Sequence, residues 1–133
     1  MYSYEQQQFL ADHVWAVLAT SRRDGSPQQA LVGYPLDEQG RIICSTQAFT
    51  AKWYNAVREP KVCITVPDGR VNVVVYGTAE AITTDPERAE LTADFLAAVR
   101  GQERPEPSTI VGWLDEQRRT VLRITPKKVL MHE

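Results

Sequence analysis

The chain has 133 residues, 43% apolar and 24% charged, with 15 basic and 17 acidic side chains for a formal charge of −2. That length fits one domain, residues 1–133, able to bury a core without staples, and the balance argues against a nucleic-acid patch, a membrane-seeking face and wholesale disorder. Cys44 and Cys63 are its only two cysteines and form no CxxC or Cys/His cluster, so metal ligation has no support; no apolar run approaches the ~20 residues of a membrane span, and a cytoplasmic location is expected.

Ser3-Tyr4-Glu5-Gln6 reads as a capping box, which predicts a short helix from Tyr4 to about His13. Val14 to Thr20 is a first strand. Arg22-Arg23-Asp24-Gly25-Ser26 makes a hairpin turn, because Asp-Gly supplies the positive φ of a tight turn. A second strand runs from about Pro27 to Leu36, and after Asp37-Glu38-Gln39-Gly40 a third spans Arg41 to Thr46. A helix is expected from about Ala48 to Arg58, stopped by Pro60. Lys61 to Val66 is a fourth strand, and Asp68-Gly69 turns it into a long fifth, Val71 to Ile82, whose Val-rich first half suits burial on both faces. Asp85 as N-cap and Pro86 at N1 predict a helix with Leu91, Phe95, Leu96 and Val99 as its apolar stripe. A polar loop, Gly101 to Pro107, precedes a short helix from about Ser108 to Glu116. Thr120 to Thr125 is a sixth strand, continued by Val129 to His132 after Pro126. Six strands joined mostly by hairpins describe a small antiparallel barrel with flanking helices.

The segment Cys44 to Asn55 carries the strongest chemical signal. A strand there ends in Ser45, Thr46 and Gln47 and passes through Ala48 and Thr50 into a helix bearing Lys52 and Asn55. A helix N-terminus offers unpaired N–H donors and the positive end of the macrodipole, and Lys52 adds a full charge, so the layout suits a phosphate. The same pattern also serves an ordinary capped helix with a solvated lysine, and both readings stand on the pattern alone. His13 and His132 are candidate proton donors by residue type, but one lies at a helix-to-strand junction and the other beside the C-terminus, so no catalytic residue is assigned. Trp113, after the Pro-rich loop, is the aromatic most worth testing as a substrate stacker.

In this order, four places resemble the split β-barrel flavin and deazaflavin oxidoreductases, the pyridoxamine 5'-phosphate oxidase-like superfamily. They are Val17 to Thr20 with Asp24-Gly25-Ser26-Pro27; Ser45-Thr46 with Ala51-Lys52, Asn55 and Arg58-Glu59-Pro60-Lys61-Val62; Tyr76-Gly77-Thr78-Ala79-Glu80; and Leu122 to Val129. The resemblance implies a mainly β fold, a six-stranded antiparallel split barrel with short flanking helices, assembled as a homodimer. The short chain and the Lys-x-x-Asn form look more like the branch that uses the deazaflavin coenzyme F420 than like the FMN oxidases, which usually place Arg-Lys where this chain has Ala51-Lys52. It further implies that Ser45, Thr46, Gln47, Ala48, Thr50, Lys52 and Asn55 hold the anionic tail of the cofactor and that Gln28 lines its ring. The cofactor would then pass a hydride to a small conjugated acceptor such as an enone, a quinone or a tetrapyrrole. A deazaflavin carrier without turnover, or an FMN-binding protein of similar fold, is the alternative.

Overall fold

The computed structural model describes residues 1–132. Helix α1 spans Tyr4–Ala11 and carries the capping box: Gln6 N–H donates to Ser3 Oγ at 3.1 Å and Ser3 N–H to Gln6 Oε1 at 2.9 Å. It ends earlier than expected because Asp12 takes the C-cap and the His13 ring turns back onto Phe9 O. Six strands follow: β1 Trp15–Ser21, β2 Pro27–Gly33, β3 Ile42–Gln47, β4 Lys61–Asp68, β5 Val71–Ile82 and β6 Arg119–His132. Helix α2, Ala51–Arg58, joins β3 to β4, while α3, Glu87–Arg100, and α4, Pro107–Gln117, lie between β5 and β6.

All strand pairings are antiparallel, in the order β2-β1-β4-β5-β6-β3. The sheet curls into a half-barrel whose edges, β2 and β3, touch at one end: Leu36 bridges Ile42, and Ile43 N–H donates to Pro35 O at 2.8 Å. Toward Pro27 and Gln47 no ladder joins the edges among the described residues, and this gap is the split. Strand β2 stops at Gly33 rather than Leu36. Pro35 has no N–H for a ladder, and Tyr34 turns inward to donate its hydroxyl to Leu10 O at 2.7 Å.

The half-barrel closes around Leu18, Ile42, Ile64, Val75, Leu122 and Ile124, all essentially without solvent contact. Alternation along the strands explains this set, since every second side chain points inward. In the Val-rich first half of β5 the expected burial on both faces holds only in part: Val73 and Val75 are buried, Val74 on the other face is half-buried, and from Tyr76 on that face is exposed at Tyr76, Thr78 and Glu80. A sheet wrapped around one core has an outer face, and hairpin strands leave that face open.

Strand β6 is continuous through Pro126, which a bulge accommodates. Gly77 pairs with Pro126 and Tyr76 with Lys128, so Lys127 falls out of register. A Cβ at Gly77 would lie 2.7 Å from both Ile124 Cγ2 and Thr125 O, which is why that crossing requires glycine. At the start of α3 the cap position belongs to Pro86, not Asp85. Asp85 still supplies a capping oxygen from one residue further out, accepting from Ala89 N–H at 3.0 Å and pairing with Arg88 at 2.7 Å. The buried stripe of α3 is also shifted, to Ala89, Thr92, Ala93 and Leu96, with Leu91, Phe95 and Val99 half-buried on its flanks. Small residues face the sheet because the helix packs close. No helix among the described residues is long and apolar enough to cross a membrane.

Candidate functional site

The end of β3 and the start of α2 lie at the open end of the split. Helix α2 begins at Ala51, later than expected, because Phe49 adopts a left-handed conformation with φ 70° and ends the strand sharply. Thr50 takes the cap position but does not cap: its hydroxyl donates back to Gln47 O at 3.0 Å. The first-turn N–H groups of α2 therefore lack a side-chain partner from Thr50, the condition in which a helix N-terminus receives an anion. Thr46 is buried, with Oγ1 3.4 Å from Thr50 Oγ1.

Lys52 stands in the first turn and is half-buried. Burial first, and the nearby Arg119 charge second, hold its ammonium below the ordinary lysine range, with the Cys44 thiol acting weakly the other way. The ion pairs among the described residues involve His13, Arg41, Arg88, Arg104 and Arg123; neither Lys52 nor Arg119 has a carboxylate partner. Arg119 Nε is moreover buried with no hydrogen-bond partner, while its guanidinium lies 5.8 Å from the Trp113 ring centroid. Two neighbouring cations, partly removed from water and without a counter-ion, form a site that an anion would complete. This donor set fits the phosphate-bearing tail of a flavin or deazaflavin.

The remaining sequence candidates divide into other groups. Ser45 and Gln47 alternate with Thr46 and so lie on the opposite face of β3, the face that Arg119 shares as the ladder partner of Gln47; Gln47 Nε2 donates to Gln117 O at 3.1 Å. Ala48 N–H is engaged by Arg118 O at 2.8 Å. Asn55 is buried, with Nδ2 donating to Thr20 Oγ1 at 3.2 Å and Oδ1 accepting from Arg58 at 3.0 Å. Thr20 in turn donates to Gln28 Oε1 at 3.0 Å. Gln28, Thr20, Asn55 and Arg58 thus form one chain of hydrogen bonds from β2 through β1 to α2, beside the Lys52 group.

Sequence reasoning missed Arg118 and Arg119. Their signal was a basic pair opening the last strand, and only the β3–β6 ladder, where Gln47 faces Arg119, brings that pair to the end of β3. It also missed the aromatic corner over α2. Phe49, 56% exposed, packs edge-on against Trp53 with centroids 5.4 Å apart, and the Arg118 guanidinium lies 5.9 Å from its ring. Phe49 and Arg118 are both left-handed non-glycine residues, a costly backbone state that accumulates where a site is shaped. His13 is committed elsewhere, with Nδ1 2.6 Å from Phe9 O and Nε2 2.9 Å from Asp68.

Several solved structures share this fold. A conserved hypothetical protein of Mycobacterium tuberculosis superposes with a TM-score of 0.82 at 22% identity, covering 100% of this chain and 85% of that one. A protein described as an F420 reductase gives 0.72 at 21%, covering 98% of each chain. A protein of Listeria innocua described as a putative pyridoxamine 5'-phosphate oxidase gives 0.70 at 16%, covering 96% of this chain and 94% of that one. No curated protein matches the chain in sequence. The sequence profile of the pyridoxamine 5'-phosphate oxidase family matches residues 3–133, and with the split-barrel fold in place the chain belongs to that family, whose members bind flavin-type cofactors.

Proposed function

We propose that this protein is a coenzyme F420-dependent oxidoreductase that delivers a hydride to a small conjugated acceptor in the cytoplasm. The observation that carries the reading is the half-buried pair Lys52 and Arg119, cationic and without a carboxylate, beside the uncapped first turn of α2. The neighbour described as an F420 reductase, matched over almost its whole length, supports the deazaflavin over FMN. So does Ala51, since an Arg-Lys pair is absent where the FMN oxidases usually carry one.

When bound, the coenzyme supplies the hydride. Lys52, Arg119 and Thr50 hold its anionic tail, and Gln28, fixed by Thr20, lines the ring at the mouth of the split. Binding at two separated points sets the orientation, and the apolar barrel wall keeps water away. Fluorescence titration with coenzyme F420 and with FMN tests the choice: the deazaflavin binds more tightly, and the reverse order moves the protein to the flavin branch. Stopped-flow oxidation of the reduced deazaflavin by quinones, enones and biliverdin separates enzyme from carrier. At least one acceptor reacts faster with protein than in buffer; if none does, the carrier reading holds.

The protein acts as a homodimer on this reading. Trp15, Leu31 and Tyr76 are 54%, 69% and 46% exposed on the outer face of β2-β1-β4-β5, where Leu31 faces Val17 and Cys63 faces Tyr76 across the ladders. A second copy covering this apolar face buries it as an obligate interface does. Light scattering at micromolar concentration then gives twice the 15.0 kDa chain mass.

A further inference from the structure

A second group of cations lies at the opposite end of α2 from Lys52. The β1–β2 turn, the last turn of α2 and the start of β4 enclose a cleft of about 440 Å³ lined by Arg22, Arg23, Arg58 and Lys61, with Glu59 at its wall. None of these four cations joins an ion pair among the described residues, although the chain as a whole is acidic. The two carboxylates nearest in sequence are bonded mainly to backbone and hydroxyl donors, although Asp24, whose pKa the Ser26 hydrogen bonds chiefly lower, also feels the Arg22 charge as the smallest cause. Glu59 accepts from Lys61 N–H at 3.2 Å, and Asp24 accepts from the N–H and hydroxyl of Ser26 at 3.0 and 2.6 Å. Arg58 is held in place by its bonds to Ser21 O and Asn55 Oδ1, which fixes one positive wall of the cleft.

We propose that this cleft binds a small, multiply charged anion with clustered oxygens, a diphosphate or a polycarboxylate, at a site distinct from the one holding the cofactor tail. Four like charges in one hollow repel one another, and an anion of charge two or more relieves that repulsion while accepting guanidinium and ammonium hydrogen bonds. Arginine supplies the planar fork that suits both phosphate and carboxylate groups. Through Arg58 and Asn55 the cleft is also joined by hydrogen bonds to Thr20 and Gln28 at the barrel mouth, so an anion drawn toward Arg58 acts on the same chain.

Isothermal titration of the intact protein with pyrophosphate and, separately, with citrate at low ionic strength tests the assignment. Saturable binding of either one is expected, and the tighter of the two identifies the ligand chemistry. Arg22→Gln/Arg23→Gln weakens it at least tenfold, and Lys61→Gln, at another wall of the cleft, weakens it as well; these exposed side chains make no side-chain hydrogen bond in the fold. Lys52→Ala removes only the binding that the first site contributes and leaves in place the component that the arginine variants abolish. Absence of saturable binding by both anions overturns the proposal. Binding lost in Lys52→Ala but kept in the arginine variants also overturns it, by placing the anion at the first site. Deazaflavin titration of the arginine double variant reads the cofactor site separately, so failure of one assignment is distinguishable from failure of the other.

Discussion

Two polar side chains of α2, Lys52 and Asn55, lie one helical turn apart, yet they are in opposite states. Asn55 has both ends of its amide bonded, to Thr20 and Arg58, inside the protein. Lys52 is half-buried with no carboxylate partner among the described residues, and burial first, then the Arg119 charge, lowers the pKa of its ammonium. Asn55 is complete as folded and Lys52 is not. An unfinished polar group marks where something from outside is meant to bind, and a finished one marks what keeps the site in shape.

The largest effect that tests this contrast is on affinity. Lys52→Ala weakens deazaflavin binding at least tenfold, a loss of roughly 1.5–3 kcal/mol for one charge-assisted contact, with an unchanged melting temperature. An unchanged dissociation constant by fluorescence titration would leave Lys52 a surface residue. Asn55→Ala should do the reverse and lower stability by about 1–3 kcal/mol, because it strips partners from Thr20 and Arg58. Thermal and urea melts measure it; a normal melt with lost affinity would put Asn55 in the ligand's hands and dissolve the comparison.

A pH titration sharpens it further. Only protonated Lys52 attracts an anion, and its pKa in the free protein is lowered, so affinity is full below that lowered value and falls as pH rises through it. Folding follows the matching sign: the charged amine disfavours the free fold below its folded pKa, and this cost is relieved as pH climbs past the ordinary lysine range. Arg119→Gln removes one cause of the shift and moves the affinity midpoint to higher pH. The smallest effect is expected at the imidazoles. His13→Ala and His132→Ala each keep turnover within about tenfold, some 1.4 kcal/mol in barrier, since neither belongs to the Lys52 group.

Local chemistry made much of the fold readable. Asp24-Gly25 and Asp68-Gly69 each turn a hairpin, and Gly25 and Gly69 have the φ of 87° and 61° that such turns demand. Ser3 and Gln6 form their box because both partners lie within one helical turn. What stayed hidden depends on pairing between distant segments. Nothing near Arg119 says that it will lie across a ladder from Gln47, nor does anything near Ser45 say that Thr46, and not Ser45, faces inward. The left-handed turn at Phe49 was hidden for another reason: an aromatic residue gives no local hint of a conformation that its surroundings impose.

Strand β6 has a consequence for how the molecule comes into being. It pairs with β5 along one side and is the ladder partner of β3 on the other, whereas β1 with β2 and β4 with β5 are hairpins between sequence neighbours. On the ribosome those hairpins can zip as soon as they emerge, but β3 must wait, its edge unmatched, until more than half the chain has been made after it. Contacts this far apart in sequence slow the closing step. The junction of β3 and β6, where the proposed anion site lies, is therefore among the last parts of the protein to exist, and no ligand that needs it can bind a nascent chain early.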